Sequence, residues 1–309
     1  MNIAVFGTGG VGGYFGTRLA QAGHQVTFIA RGAHLESIRA HGLSLVSPLG
    51  GYVLYPARAT DRPLEVGLVD LVILGVKAWQ VPEAAQAIRP MVGPGTMVLP
   101  LQNGIEAAGQ LIAALGKAPV LGGTCRIISK IAGPGVIEHI GLEPTIFVGE
   151  LSGVPDERVN RLAGTLREAG IRTETPKNIV SALWQKFIFI AAISGVGAVT
   201  RAPFGLLRSV PESRDLYLRA VEEIIALAVA RGVSIPNGYA SVLDRNLDDL
   251  PAEGTSSMQR DIHAGLPSEL ESQNGAVVRL AGDAGLEVPV NRFLYHALLP
   301  QERKARGEA

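Results

Sequence analysis

The chain has 309 residues, of which 47% are apolar, 18% charged and 5% aromatic, with 38 glycines. At roughly 150 residues per domain that is about two domains, and the apolar share excludes an intrinsically disordered chain. With 28 basic residues against 28 acidic ones, neither nucleic acid nor an anionic membrane surface is an expected partner.

The N-terminus, Met1-Asn2-Ile3-Ala4-Val5-Phe6-Gly7, lacks the basic segment and cleavage pattern of a signal peptide. Residues 3–6 form a short apolar run ending in glycines, which reads as a buried parallel strand. Residues 11–22 read as a helix closed by Gly23. A second strand is expected at 25–30 and a short helix at 33–41. Two strands at 43–46 and 52–55, separated by Pro48-Leu49-Gly50-Gly51, read as a hairpin. A buried strand at 70–76, a helix at 81–91, a strand at 97–101 and a helix at 105–115 continue the alternation. Strands at 120–128, 136–140 and 145–148, a helix at 157–169 and a last strand at 171–175 complete this half.

No convincing strand follows Pro176. Helices are expected at 181–193 and 212–231, the second with a Ser209/Glu212 capping-box spacing and a stop at Gly232. Others are expected at 239–247, at 256–281 with a break near Gly265-Leu266-Pro267, and at 291–304. The longest apolar run around Lys186, residues 187–193, is shorter than the ~18 residues of a membrane span. The reading is α/β: a Rossmann-like doubly wound parallel sheet over 1–176, then an all-helical domain over 177–309, with a ligand expected in the cleft between them. Cys125 is the single cysteine and cannot form an intrachain disulfide. A reducing, cytoplasmic setting with no membrane partner is the expectation. A homodimer is compatible with the sequence, which does not fix the oligomeric state.

Gly7-Thr8-Gly9-Gly10-Val11-Gly12 is a G-x-G-x-x-G that follows a strand and opens a helix, the context in which this pattern binds a dinucleotide. Gly7 permits the tight turn, Gly9 lets backbone approach a pyrophosphate, and Gly12 lets the helix pack on the strand. The helix N-terminus offers N–H donors to the phosphates. A glycine turn without ligand is the structural alternative. The second strand ends Phe28-Ile29-Ala30-Arg31, without the acid that NAD sites use on the ribose 2′-hydroxyl. Arg31 can pair with a 2′-phosphate instead, which favours NADP (NADPH) over NAD. Lys77 and Asn103 follow two further strands, at the carboxyl ends where α/β sheets bind ligands; a turn or capping role is the alternative for each.

The six histidines are scattered without metal-ligand spacing, and there is no nucleophile elbow. Lys186, in Leu183-Trp184-Gln185-Lys186-Phe187-Ile188-Phe189-Ile190, is a charge on an apolar helix. Desolvation would lower its pKa towards that of a general acid, unless it snorkels to water. The segment 256–271 carries carboxylates able to pair with a substrate hydroxyl or with Lys186, or simply to form an acidic outer face.

With these residues together the chain resembles the ketopantoate reductase family (2-dehydropantoate 2-reductase) from end to end. The matching signatures are GTGGVG, Lys77-Ala78-Trp79-Gln80, Gln102-Asn103-Gly104, Trp184-Gln185-Lys186-Phe187, and SSMQRDIHAGLPSE followed by Asn274-Gly275. The resemblance implies NADPH-dependent reduction of a small 2-oxo acid, ketopantoate by default, to a 2-hydroxy acid in pantothenate biosynthesis. It casts Lys186 as general acid, Glu269 as the group that holds a substrate hydroxyl and helps position Lys186, Ser257 and Asn103 as substrate contacts, and Lys77 and Asn103 as cofactor contacts. Family members usually carry asparagines four and eight residues after the lysine. Here Ile190 and Ser194 stand at those positions, which makes that part of the substrate wall more apolar and opens a second reading, the same chemistry on a more apolar 2-oxo acid. A non-catalytic NADPH-binding regulator would have no need of Lys186 and Glu269.

Overall fold

The computed structural model describes residues 1–154 and 156–308. The chain divides into two compact units, one of Met1–Gln102 with Glu106–Val180, the other of Asn103–Ile105 with the chain from Ser181 onward. The division after Val180 falls close to the change of texture at Pro176. That Asn103–Ile105 belongs with the second unit has no signal in the sequence.

The first unit begins with β1 (Asn2–Phe6), α1 (Gly10–Gln21), β2 (Gln25–Ile29), α2 (Gly32–His41), the hairpin β3 (Leu43–Val46) and β4 (Tyr52–Leu54), and β5 (Arg58–Thr60). It continues with β6 (Leu71–Leu74), α3 (Val81–Ile88), β7 (Met97–Pro100) and α4 (Ala107–Leu115). Five of these strands form a parallel sheet in the order β5-β2-β1-β6-β7. Side chains alternate across it. Ile3, Val5 and Phe28 lie on the face packed with Phe15 and Leu19 of α1, and Ala4, Val72 and Leu74 lie on the face packed with Val81, Ala85 and Ile88 of α3. Apolar groups on both faces explain why these strands read as uninterrupted apolar runs.

After α4 come β8 (Gly122–Arg126), β9 (Ser129–Gly133), β10 (Val136–His139), β11 (Thr145–Gly149), α5 (Glu157–Glu168) and β12 (Arg172–Glu174). Here the architecture departs from a single doubly wound sheet. The later strands, joined by the β3–β4 hairpin, form two small mixed sheets, β4-β3-β10-β9 and β12-β11-β8. The cause is local: β9 returns into β10 through Pro134 and Gly135, whose φ is +73°, and a tight return makes an antiparallel pair, not a parallel crossover. β9 (Ser-Lys-Ile-Ala-Gly) and the three-residue β5 were not expected, because neither carries an apolar periodicity.

The second unit is helical: α6 (Ile179–Thr200, whose first two residues belong to the first unit), α7 (Phe204–Ser209), α8 (Pro211–Ala230), α9 (Tyr239–Asp248), α10 (Ser257–His263), a π-helical turn (Glu271–Gly275), α11 (Ala276–Asp283) and α12 (Pro289–Arg306). α6 is long and apolar enough to cross a membrane by length and composition. Every residue from Ala191 to Ala198 is buried against its own unit, the pattern of a core helix. The Ser209/Glu212 capping box is not formed. Ser209 Oγ donates back to Leu206 O at 2.9 Å and so closes α7. Pro211 opens α8, where its missing N–H is no loss.

Candidate active site

In the first unit the glycines of the Gly7–Gly12 loop are fixed by contacts. Gly7 has φ +95°, and a Cβ there would lie 2.7 Å from Val76 N; a Cβ on Gly12 would lie 2.2 Å from Gly7 O. On Gly9, by contrast, a Cβ would meet nothing nearer than Gly75 O at 4.0 Å. The backbone at Gly9 is thus open on the side where a pyrophosphate would approach. Gly10 cannot carry a side chain for a different reason: its Cβ would fall 2.6 Å from the backbone of Ser129, where β9 passes over the start of α1. Thr8 is buried, with its Oγ1 donating to Ile29 O at 3.0 Å and its N–H to the same oxygen at 3.2 Å, so the loop is tied to the end of β2. Val11 is half-buried on the first turn of α1.

Arg31 lies at the N-terminus of α2, exposed, its Nη2 3.2 Å from Glu83 Oε1. One guanidinium donor is engaged there; the fork keeps others for an anion. Lys77 follows β6, with its Nζ 5.8 Å from the centre of the Trp79 ring and its N–H donating to Gln80 Oε1 at 3.2 Å. Gln102 is structural: its Nε2 donates to Leu74 O at 2.7 Å and Val76 O at 3.1 Å, pinning the end of β6. An open glycine cradle at a helix N-terminus beside an arginine fits a phosphorylated dinucleotide.

In the second unit Lys186 is half-buried on α6, with Trp184, Phe187 and Ile188 around it buried. Glu269 is only 4% exposed, and its Oε2 accepts from Asn103 Nδ2 at 3.0 Å. Two of the expected site residues, separated by 166 positions, are therefore brought into contact. Ser256 takes the capping position of α10, its Oγ accepting from Gln259 N at 3.1 Å. Ser257 is the next residue, half-buried, with its hydroxyl not spent on the cap. Ile190 is half-buried one turn beyond Lys186. Ser194 is fully buried, and its Oγ has no hydrogen-bond partner among the described residues.

A support missed in the sequence lies behind Glu269. The buried Glu302 accepts from Ser268 N at 3.1 Å and from Ser268 Oγ at 2.5 Å, and pairs with Arg306 at 2.7 Å. Arg306 Nη2 in turn donates to Ser268 O at 3.0 Å. Ser268 Oγ accepts from Leu270 N, so every polar group of the residue before Glu269 is held. The Glu302/Arg306 spacing of four on a helix was the available signal, but such pairs are common on exposed helices and nothing local marks this one as buried.

The family model described as Ketopantoate reductase PanE/ApbA matches residues 3–153, and that of the C-terminal part of the same family matches residues 178–302. The 2-dehydropantoate 2-reductase of Halobacterium salinarum is 34% identical over 298 residues, 95% of this chain and 96% of that one. The crystal structure of a PanE/ApbA family ketopantoate reductase from Ralstonia eutropha JMP134 matches with a TM-score of 0.91 at 33% identity, over 99% of this chain and 100% of that one. The ternary structure of D-mandelate dehydrogenase with NADH and anilino(oxo)acetate shares the fold, at a TM-score of 0.89 and 22% identity over 99% of each chain.

Proposed function

The chain belongs to the ketopantoate reductase family and is an NADP-dependent oxidoreductase acting on a 2-oxo acid, and from that premise we propose that it reduces 2-dehydropantoate (ketopantoate) to pantoate with Lys186 as the proton donor. The observation that carries this reading is the buried Glu269 carboxylate, oriented by Asn103 at 3.0 Å, in the same unit as a lysine on an otherwise apolar helix face. When bound, NADPH supplies the hydride that reduces the C2 carbonyl carbon. Gly7, Gly9 and Gly12 shape the backbone that would hold its pyrophosphate, and Arg31 would hold its 2′-phosphate, with Lys77 beside the cofactor.

Lys186 Nζ gives its proton to the oxygen that becomes the C2 hydroxyl, and its charge stabilises the alkoxide as it forms. Glu269 accepts a hydrogen bond from a substrate hydroxyl, while Asn103, already bound to Glu269, fixes the carboxylate and donates its second amide hydrogen to substrate. Ser257 supplies a further hydroxyl to the substrate. A substrate hydroxyl adds a donor to this buried carboxylate, so a ligand that brings one is preferred over one that lacks it.

Ile190 favours a second reading, in which the same chemistry acts on a 2-oxo acid with a more apolar side chain. A half-buried isoleucine beside Lys186 imposes no demand for a polar partner and gains about 0.8 kcal/mol for each methylene it covers. Spectrophotometric NADPH oxidation with ketopantoate and a panel of branched and aromatic 2-oxo acids separates the two. The first reading requires the highest kcat/KM on ketopantoate. Absence of turnover on every 2-oxo acid would overturn both.

A further inference from the structure

The π-helical turn Glu271–Gly275 starts two residues after Glu269, and its widened backbone closes through Gly275 N donating to Leu270 O at 2.9 Å. Turns of this kind recur at functional sites, because the extra residue redirects side chains that a regular helix would place elsewhere. Three separate segments are packed onto this one. Gly104, next to Asn103, approaches so closely that a Cβ on it would lie 2.9 Å from Ser272 O. Asn274 is fully buried and donates from Nδ2 to Ala191 O of α6 at 3.2 Å and to Asn291 Oδ1 of α12 at 3.3 Å. Gly195 of α6 lies against the same amide, where a Cβ would fall 2.7 Å from Asn274 Nδ2.

Gly195 is unusual for its place. In the interior of a helix, glycine is less favourable than alanine by about 1 kcal/mol, so propensity alone would put alanine there. The close approach of Asn274 explains the glycine. Ala191 and Gly195 follow Lys186 on the same helix, Ala191 by about 7.5 Å along the axis at 1.5 Å per residue. Asn274 follows Glu269 by five residues, and Gly104 adjoins the Asn103 that holds Glu269. We infer that Asn274, seated against Gly195, is a positioning residue that sets the helix of Lys186 in register with the Glu269–Asn103 pair. Asn274 is fully buried, with no surface open to a ligand. It acts by fixing where α6 meets the turn, so its loss misplaces the proton donor without altering the donor itself. The inference rests on the roles of Lys186 and Glu269 proposed above.

The test uses Asn274→Ala, Gly195→Ala and the double variant of the full chain. Each single change loosens or wedges the same contact, and each is expected to lower kcat by about 10- to 100-fold, the scale on which a displacement near 1 Å acts. NADPH affinity, read by fluorescence titration, is expected to stay within about twofold, because the change lies outside the dinucleotide loop. In the double variant the wedge of Gly195→Ala meets no amide, so kcat returns to the level of Asn274→Ala and does not fall by the product of the two losses. A readout free of turnover comes from reductive ¹³C-methylation of the six lysines, with the Lys186 signal assigned by its loss in Lys186→Arg. That signal is expected to shift in both single variants while the other five stay fixed. Folded single variants with wild-type kcat and an unmoved Lys186 signal, or losses that simply multiply, would overturn the inference. A purely structural contact would lower Tm and leave both kcat and the Lys186 signal of the folded protein in place. If the wild type reduces no 2-oxo acid, the functional proposal fails and the lysine spectrum alone decides this one.

Discussion

The cofactor contacts proposed for the first unit lie in Gly7–Gly12, a few consecutive residues, and most of what they would offer is backbone. The residues proposed for the second unit, Asn103, Lys186, Ser257 and Glu269, come from across the chain, with 166 positions separating the contacting pair Asn103 and Glu269, and what they would offer is side chain. A backbone site needs only the right turn, which glycine at fixed spacing dictates. A side-chain site needs the helices that carry it to be packed correctly first. Damage should therefore act differently: in the first unit by blocking close approach, in the second by removing or misplacing a single functional atom.

Lys186→Ala should have the largest effect. Loss of general acid assistance is expected to lower kcat by about 10²- to 10⁴-fold while NADPH affinity stays near wild type. Steady-state kinetics with parallel fluorescence titration measure both, and near-normal turnover would remove Lys186 from the mechanism.

Gly12→Ala attacks the other unit. A Cβ placed 2.2 Å from Gly7 O forces the strand and α1 apart, at about 1–3 kcal/mol of overpacking strain. Thermal denaturation should show the lower stability, and NADPH binding should weaken by more than the tenfold that about 1.4 kcal/mol represents. A variant as stable as wild type and with unchanged affinity would mean that the loop is not held as described.

Arg31→Ala sharpens the contrast, because it is the exception: a side chain in the backbone-built site. Removing a charge-assisted contact of about 1.5–3 kcal/mol should weaken NADPH roughly 10- to 150-fold and NADH much less. Equal losses for the two cofactors would show that Arg31 does not read the 2′-phosphate, and would turn attention to its pairing with Glu83.

The smallest effect is expected from Ile190→Asn, which returns an amide to the Lys186 helix. The ratio of kcat/KM for ketopantoate over a simple branched 2-oxo acid should rise several-fold, in keeping with the roughly 10-fold worth of one good polar contact. A ratio that does not move would place substrate discrimination on Ser257, Glu269 and Asn103.

The amino-acid sequence by itself determined the parallel sheet of the first unit, the dinucleotide loop and the helical character of the second unit. These depend on short-range patterns: apolar runs buried on both faces, glycines where a Cβ would strike backbone, and period-3.6 helices closed by glycine. Strand pairing beyond β7 was decided only in the tertiary structure, because β5 and β9 have no burial pattern and gain their partners from the strands they meet. The same holds for the residues of the proposed active site. Lys186 and Glu269 could be named from their motifs, but the complete burial of Ser194 could not be read there. Whether a residue eight places along a helix faces a ligand or a neighbouring helix depends on what packs there, and Ser194 is packed inside. Asn103 joining Glu269, Glu302 gripping Ser268 and Asn274 wedged beside Gly195 are all contacts between segments far apart in the chain. Their geometry comes from helix packing, which no local pattern of residues encodes.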